Sequence, residues 1–397
     1  MSIDTEILQF ARTHRDEDPL KLLLQQKKYP QMDMRKVVQQ IEGQRQASTK
    51  WPTLALCDEF LFPPKLNREQ SSSEATARYK AQLVTSWGGD TVADLTGGMG
   101  IDSLFMAKVT ETVDYCEHNE ELCQLTAYNF SILQQNNIRC HSGDSLEWLK
   151  NETDTIYNTI YIDPARRDDK GNKVAAFEDC TPNILDNLAL LLNHCKHLLV
   201  KASPMIDIHS ALQQLGDVSD LHIVALGGEC KEVLFCTDNN INRETRIHCV
   251  ELRGDFSPVV FTLTEEENAK TSFATQMGKY LYEPHATLMK SGCFNCISQW
   301  FGIKKLARNT HLYTSDTFLE NFPGRTFQVL QEVKPKDVTR LISERKAHVV
   351  TRNYPTEAAV LQKKLGLKEG GDIFVIGSTI GSRPTLWLCR CCPHERT

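Results

Sequence analysis

No run of apolar residues in this sequence is long enough to cross a bilayer. The chain opens Met1-Ser-Ile-Asp-Thr-Glu6, without the basic stretch and apolar core of a secretion signal. Both absences point to a cytoplasmic setting with no membrane partner. A general surplus of positive charge is also missing: 45 Lys and Arg face 51 Asp and Glu, a net charge of −6. That argues against a chain that coats nucleic acid along its whole length. No segment repeats at a fixed period, which sets aside solenoids and propellers. The 14 cysteines follow no repeating frame, so they do not read as a disulfide scaffold and they suit a reducing compartment.

What is present is ordinary in bulk and uneven in distribution. At 397 residues, 41% hydrophobic and 24% charged, the chain has room for about two to four domains. From Phe322 onward 13 basic residues face 7 acidic ones, which leaves 32 basic against 44 acidic in the remainder. An acidic body with a basic C-terminal module fits a polyanion site at that end. Chance asymmetry would look the same.

Along the chain, residues 1–70 read as helical, with apolar positions at helical spacing in Leu20-Lys-Leu-Leu-Leu24 and Val37-Val-Gln-Gln-Ile41. Any serine of Ser71-Ser-Ser73 would cap the helix that follows. Strands and helices then alternate. Strands are expected at Thr91–Leu95, Thr112–Cys116, Ile138–His141, Thr159–Ile162 and His197–Lys201, with helices at Ile101–Lys108, Glu120–Gln135 and Ile184–Cys195. That order predicts a mostly parallel sheet covered on both faces. The apolar runs Leu221–Leu226 and Glu232–Cys236, split by Gly227-Gly228, predict a hairpin that closes the sheet with an antiparallel strand. Thr264–Ala269 reads as a linker, and Leu288 to Trp300 as one helix. The last segment, from Thr326, reads as a compact α+β module.

In open α/β sheets, ligands bind beyond the carboxyl ends of the strands. The distinctive residues fall there. Asp94, Thr96 and the turn Gly97-Gly98-Met99-Gly100 follow the first strand, Glu117 ends the second, Asp144 follows the third and Asp163 the fourth. A carboxylate ending the second strand can accept both hydroxyls of a ribose, so the ligand is expected to be a nucleoside. A dinucleotide would want a third glycine where Ser103 stands, and Asp102 would oppose its pyrophosphate. A methionine-derived ammonium instead welcomes a carboxylate at Asp94 or Asp102. The turn therefore favours S-adenosylmethionine over NAD. Beyond the fourth strand, Asp163-Pro164-Ala-Arg166-Arg167 makes a stiff acceptor corner, with Pro164 fixing φ and Arg166 placed to meet a phosphate or a base. Cys293-Phe-Asn-Cys296 reads as helix core and the cluster from Cys389 to His394 as a chain end, so no metal site is expected.

With these residues in place, the chain resembles the class I S-adenosylmethionine-dependent methyltransferases, in particular a bacterial family with a C-terminal THUMP-like domain. The matching stretches are Glu69 to Lys80, Asp94 to Asp102, Asp163 to Arg167, Val200 to Pro204 and Tyr280 to Pro284. The resemblance implies a Rossmann-like α/β fold with a seven-stranded methyltransferase sheet at 71–265. An N-terminal helical region (1–70) would precede it, and ferredoxin-like (275–322) and THUMP-like (323–397) α+β modules would follow. It implies that Asp94, Thr96, Gly98, Gly100 and Asp102 surround the methionine part of the cofactor, Glu117 the ribose and Asp144 the adenine. Asp163, Pro164 and Arg166 would meet the methyl acceptor. RNA (tRNA or rRNA) is the expected substrate, held by the basic module, with no obligatory protein partner. The alternatives are a small-molecule or protein acceptor, or an RNA-binding protein that keeps the cofactor site without catalysis. Amino-group enzymes of this class carry an aromatic residue where Ala165 and Arg166 stand, which leaves the acceptor open.

Overall fold

The computed structural model describes residues 5–153, 155–165, 177–238, 243–254 and 256–392. The chain divides into two compact units, one of 1–220 with 231–243 and the other of 221–230 with 244–397. Among the described residues, no helix is long and apolar enough to cross a membrane. All fourteen cysteines are free thiols.

The first unit begins with helices α1 (Thr5–Thr13), α2 (Pro19–Leu23), α3 (Met34–Lys50), α4 (Pro52–Ala55), α5 (Lys65–Gln70) and α6 (Glu74–Ser86). Asp18 and Asp33 cap α2 and α3. Of the three serines it is Ser73 that caps α6, accepting the Thr76 N–H at 3.2 Å. The apolar stripe of α3 packs on α1 and α2 through Val37, Val38 and Ile41. Its C-terminal end joins Trp51, Phe60 and Phe62 in a core shared with Ile101 and Phe105.

Then follow β1 (Thr91–Asp94), α7 (Ile101–Ala107), β2 (Thr112–Glu117), α8 (Glu120–Ile132), β3 (Ile138–Ser142), α9 (Ser145–Asn151), β4 (Tyr157–Ile162), α10 (Ile184–Asn193), β5 (Cys195–Ala202), α11 (Ile208–Leu215), β6 (Asp220–Leu226), which falls in the second unit, and β7 (Glu229–Asp238). Within this unit the strand order is β3-β2-β1-β4-β5-β7. The pairs β2–β3, β1–β2, β1–β4 and β4–β5 are parallel, and β7 lies antiparallel to β5. This is the mostly parallel α/β sheet the pattern predicts, closed by an antiparallel strand. Every residue of β4 is buried, because helices cover both faces and leave no solvated side.

The second unit carries β8 (Arg246–Glu251), β9 (Val259–Thr262), α12 (Leu263–Asn268), β10 (Tyr280–Pro284), α13 (Ala286–Ser291), α14 (Asn295–Phe301), β11 (Lys304–Ala307), β12 (Thr310–Ser315), β13 (Gly324–Val333), α15 (Pro335–Leu341), β14 (His348–Arg352), α16 (Ala358–Lys364), β15 (Ile373–Ile380) and β16 (Arg383–Cys391). Two expectations fail here. The stretch read as a linker is α12, held by a capping box between Thr262 and Glu265. The single helix from Leu288 to Trp300 is two, broken where Gly292 turns left-handed at φ +79°. The seven strands β11-β12-β10-β13-β16-β15-β14 form one sheet. It curls until strands far apart in that order meet: Asn353, just past β14, donates to the Thr310 hydroxyl of β12, and Arg352 of β14 reaches Glu283 of β10 at 2.7 Å.

Candidate functional site

The turn after β1 is built by glycines for two different reasons. At Gly97 a side chain would collide with the Tyr115 ring, 2.1 Å from a Cβ, and at Gly100 with Phe130 and Thr126, both at 2.6 Å. These two let the turn pack close to β2 and α8. Gly98 has φ +55° and open space beyond its Cα, with nothing nearer than the Thr96 carbonyl at 3.8 Å. Its N–H donates to Glu117 Oε2 at 2.8 Å, and its carbonyl accepts from the Tyr115 hydroxyl at 2.6 Å. Glu117 also receives the Asn119 N–H on its other oxygen at 2.7 Å. The second-strand carboxylate is thus fixed beside the exposed edge of the glycine turn.

Asp163 joins the same cradle. Its backbone N–H donates to the Thr96 hydroxyl at 2.6 Å, which ties the acceptor corner to the glycine turn. Ala165 then pairs with Thr181 in a short antiparallel bridge, 2.7 Å and 3.0 Å, so the corner after Pro164 is anchored. Arg166 and Arg167 lie outside the described residues. Asp144 stands one residue past Gly143, whose N–H donates to the Glu117 carbonyl at 3.0 Å. Its own carboxylate caps α9 through the Leu146 and Glu147 N–H groups at 2.9 Å and 3.0 Å.

Beneath the cradle lies a buried ionic network. Lys80 of α6, fully inaccessible, donates to both Glu232 oxygens at 2.7 Å and 2.8 Å and lies 3.2 Å from Asp102. Asp102 also accepts the hydroxyls of Ser72 at 2.7 Å and Tyr161 at 2.8 Å. Lys201, near the end of β5, is paired with Asp163. Burial alone would lower the Lys201 ammonium, but the carboxylates of Asp163, Glu232 and Asp102 hold it above its ordinary range. The carboxylates diverge in the same way. Burial would raise Asp102, yet Lys80 and Lys201 pull it below its usual value, while Glu232, wholly enclosed and facing the Asp102 charge, is pushed up. Among the described residues no cation pairs directly with Asp94. Burial, reinforced by the charges of Asp102 and Asp163, pushes it up to about 7, against the Ser103 hydroxyl 2.5 Å away and the Thr96 N–H.

A family model described as a ferredoxin-like domain matches residues 280–323, and one described as THUMP domain-like matches residues 324–391. A crystal structure of a candidate methyltransferase from Porphyromonas gingivalis W83 is 30% identical with a TM-score of 0.87, and the match covers 98% of each chain. The chain belongs to the methyltransferase family with C-terminal ferredoxin-like and THUMP-like domains. No curated protein matches it in sequence. The O-methyltransferase from Bacillus cereus, solved with SAH, is 13% identical over 50% of this chain and 97% of that one, at a TM-score of 0.36. That partial likeness decides nothing about the site.

In this methyltransferase the ionic partners Lys80, Lys201 and Glu232 are the residues that sequence reading missed, together with Ser103 and Tyr161. One signal was available. Lys201 interrupts the apolar run Leu198-Leu-Val-Lys-Ala202, and an unpaired lysine there would be costly. Its partners come from strands and helices far apart in the chain. In the second unit, Cys293 and Cys296 approach Glu266. Glu266 caps the start of α14 instead, accepting the N–H groups of Phe294, Asn295 and Cys296.

Proposed function

We propose that this methyltransferase uses S-adenosylmethionine to methylate RNA, in the cytoplasm. The observation that carries the cofactor assignment is the pairing of an open Gly98 edge with a fixed Glu117 carboxylate at adjacent strand ends. Each carboxylate oxygen accepts one N–H in the structure and keeps a lone pair for a ribose hydroxyl. A Cβ at position 98 would project into open space, where a close-packed ligand would sit. Asp94 and Thr96 shape the methionine end of this cradle, and Gly100 serves it only by letting the turn pack against α8. Asp102 supports it from beneath, and Asp144 stands by the adenine end. The cofactor would supply an electrophilic methyl group on sulfonium. The protein's own part is orientation: Asp163 and the Pro164 carbonyl accept hydrogen bonds from the acceptor and aim it, which is worth several orders of magnitude in rate. The THUMP domain-like match and the surplus of six positive charges from Phe322 onward support RNA as the substrate.

Calorimetry with S-adenosylmethionine tests the first half. Glu117→Ala, which removes a charge-assisted acceptor, should weaken binding by about 10- to 100-fold. Unchanged affinity would remove the cofactor assignment. Nucleoside mass spectrometry of RNA from cells with and without the gene tests the second half, and an identical set of modified nucleosides would rule out RNA.

A further inference from the structure

The end of α3 is joined to the candidate site by a short path. The Trp51 indole donates to the Ser72 carbonyl at 2.7 Å, and the Ser72 hydroxyl meets Asp102 at 2.7 Å and Lys80 at 3.2 Å. Lys50, the last residue of α3, lies over that indole, 4.9 Å from the ring centre. Its ammonium donates to the carbonyls of Arg68 at 2.7 Å and Glu69 at 3.3 Å. Among the described residues, Lys50 hydrogen-bonds only these carbonyls, which engage two of its three N–H groups. Burial first, then the charge of Lys201, push it down to about 8, with Lys231 and Arg68 adding to them and Glu69 opposing. Lys231 comes to the same place by register. Val233 of β7 pairs with Ala202, the last residue of β5, so Lys231 stands just beyond the carboxyl end of that strand, where it is exposed. Open α/β sheets receive their ligands at that edge.

We propose that Lys50 and Lys231 hold a phosphodiester of the RNA beside the acceptor corner, which makes the N-terminal helices part of the substrate site. The inference rests on the RNA methyltransferase reading. Asp102, Asp163 and Glu232 are taken up by Lys80 and Lys201, and Lys50 is left with neutral carbonyls. A half-buried cation among like charges gains most from an anion that arrives with the substrate. A phosphodiester brings one negative charge and two unesterified oxygens, enough to accept from both lysines. The other anion that comes to this site is the carboxylate of the cofactor. Lys231 is on β7, past β4 and β5 from Glu117 on β2. It therefore stands on the acceptor side, with Asp163 and Lys201, and away from the glycine turn. That placement favours the RNA.

Transfer of label from S-adenosylmethionine to total RNA of cells lacking the gene tests it, with RNA and salt concentrations varied. Lys50→Gln and Lys231→Gln should each raise the apparent KM for RNA about tenfold, with the calorimetric affinity for S-adenosylmethionine unchanged. In the double variant the log–log slope of KM against salt should flatten by about 0.7, the share of one phosphate on a single strand. Lys50→Arg keeps the charge and should keep the wild-type slope. An unchanged KM and slope overturns the phosphate site, and so does a loss of S-adenosylmethionine affinity in place of RNA affinity. Either result leaves RNA methylation standing, because the wild-type protein still labels RNA. RNA that takes no label from the wild-type protein overturns both. Where Lys50→Gln fails to fold, Lys231→Gln decides alone from its exposed position: a raised KM supports the site and an unchanged one overturns it.

Discussion

Asp94 ends β1 with a carboxyl that burial, more than any neighbour, pushes up to about 7, whereas the same group in an unfolded chain titrates near ~3.9. Between those values the folded protein holds a proton that the unfolded chain has released. The stability contributed by Asp94 is therefore complete below about pH 4 and is lost as the pH rises through 7. Asp94→Asn has no proton to lose. The stability of wild type relative to this variant should fall by roughly 1.4 kcal/mol per pH unit across that window, as read from urea unfolding at each pH. A flat difference would show that Asp94 is ionised in the fold. Glu117, Asp94 and Asp163 were each legible as strand-end carboxylates. Their unlike surroundings were not, because the hydroxyl of Ser103 and the ammonium of Lys201 reach them through space.

At the scale of the element, the glycine turn separates two demands that its spelling runs together. Gly100→Ala would drive a Cβ to 2.6 Å from both Phe130 and Thr126 at φ +75°, so about 2–4 kcal/mol of stability should be lost. Cofactor affinity of the folded fraction should change little. Gly98→Ala meets no atom closer than 3.8 Å at φ +55° and should lose only about 1–2 kcal/mol, while S-adenosylmethionine binding weakens at least tenfold by calorimetry. Reversed outcomes would mean that the ligand lies elsewhere. The βα alternation from β1 to β5 was readable because period and punctuation agree there. The α12 helix was misread although Thr262-Leu-Thr-Glu265 carries a capping signature, since its polar composition resembled a linker. The break at Gly292 was missed because apolar spacing continues across it.

For the whole molecule, the basic surplus after Phe322 is a count until the fold distributes it. Glu283 engages Arg325 and Arg352, each about half exposed, so part of the positive charge closes the curled sheet. If the remainder holds RNA, affinity should fall steeply with salt, with a log–log slope of about −0.7 per phosphate contacted on a single strand. Filter binding from low to high salt measures it, and a slope near zero would assign the module to packing. The one sheet through β10 and β13 also joins the ferredoxin-like and THUMP-like segments, a union that their separate sequence signatures do not reveal.

The sequence alone determined the α/β class, the strand-end positions of Asp94, Glu117 and Asp163, and a glycine turn with Ser103 where a dinucleotide fingerprint has its last glycine. These follow from local periodicity and from backbone rules that act over a few residues. Only the tertiary structure decided that Lys80, Lys201 and Glu232 support those positions, that Asp102 turns inward to meet them, and that β13 continues the sheet of β10. Charges are buried only in pairs, and the partners that complete each pair lie far apart along the chain.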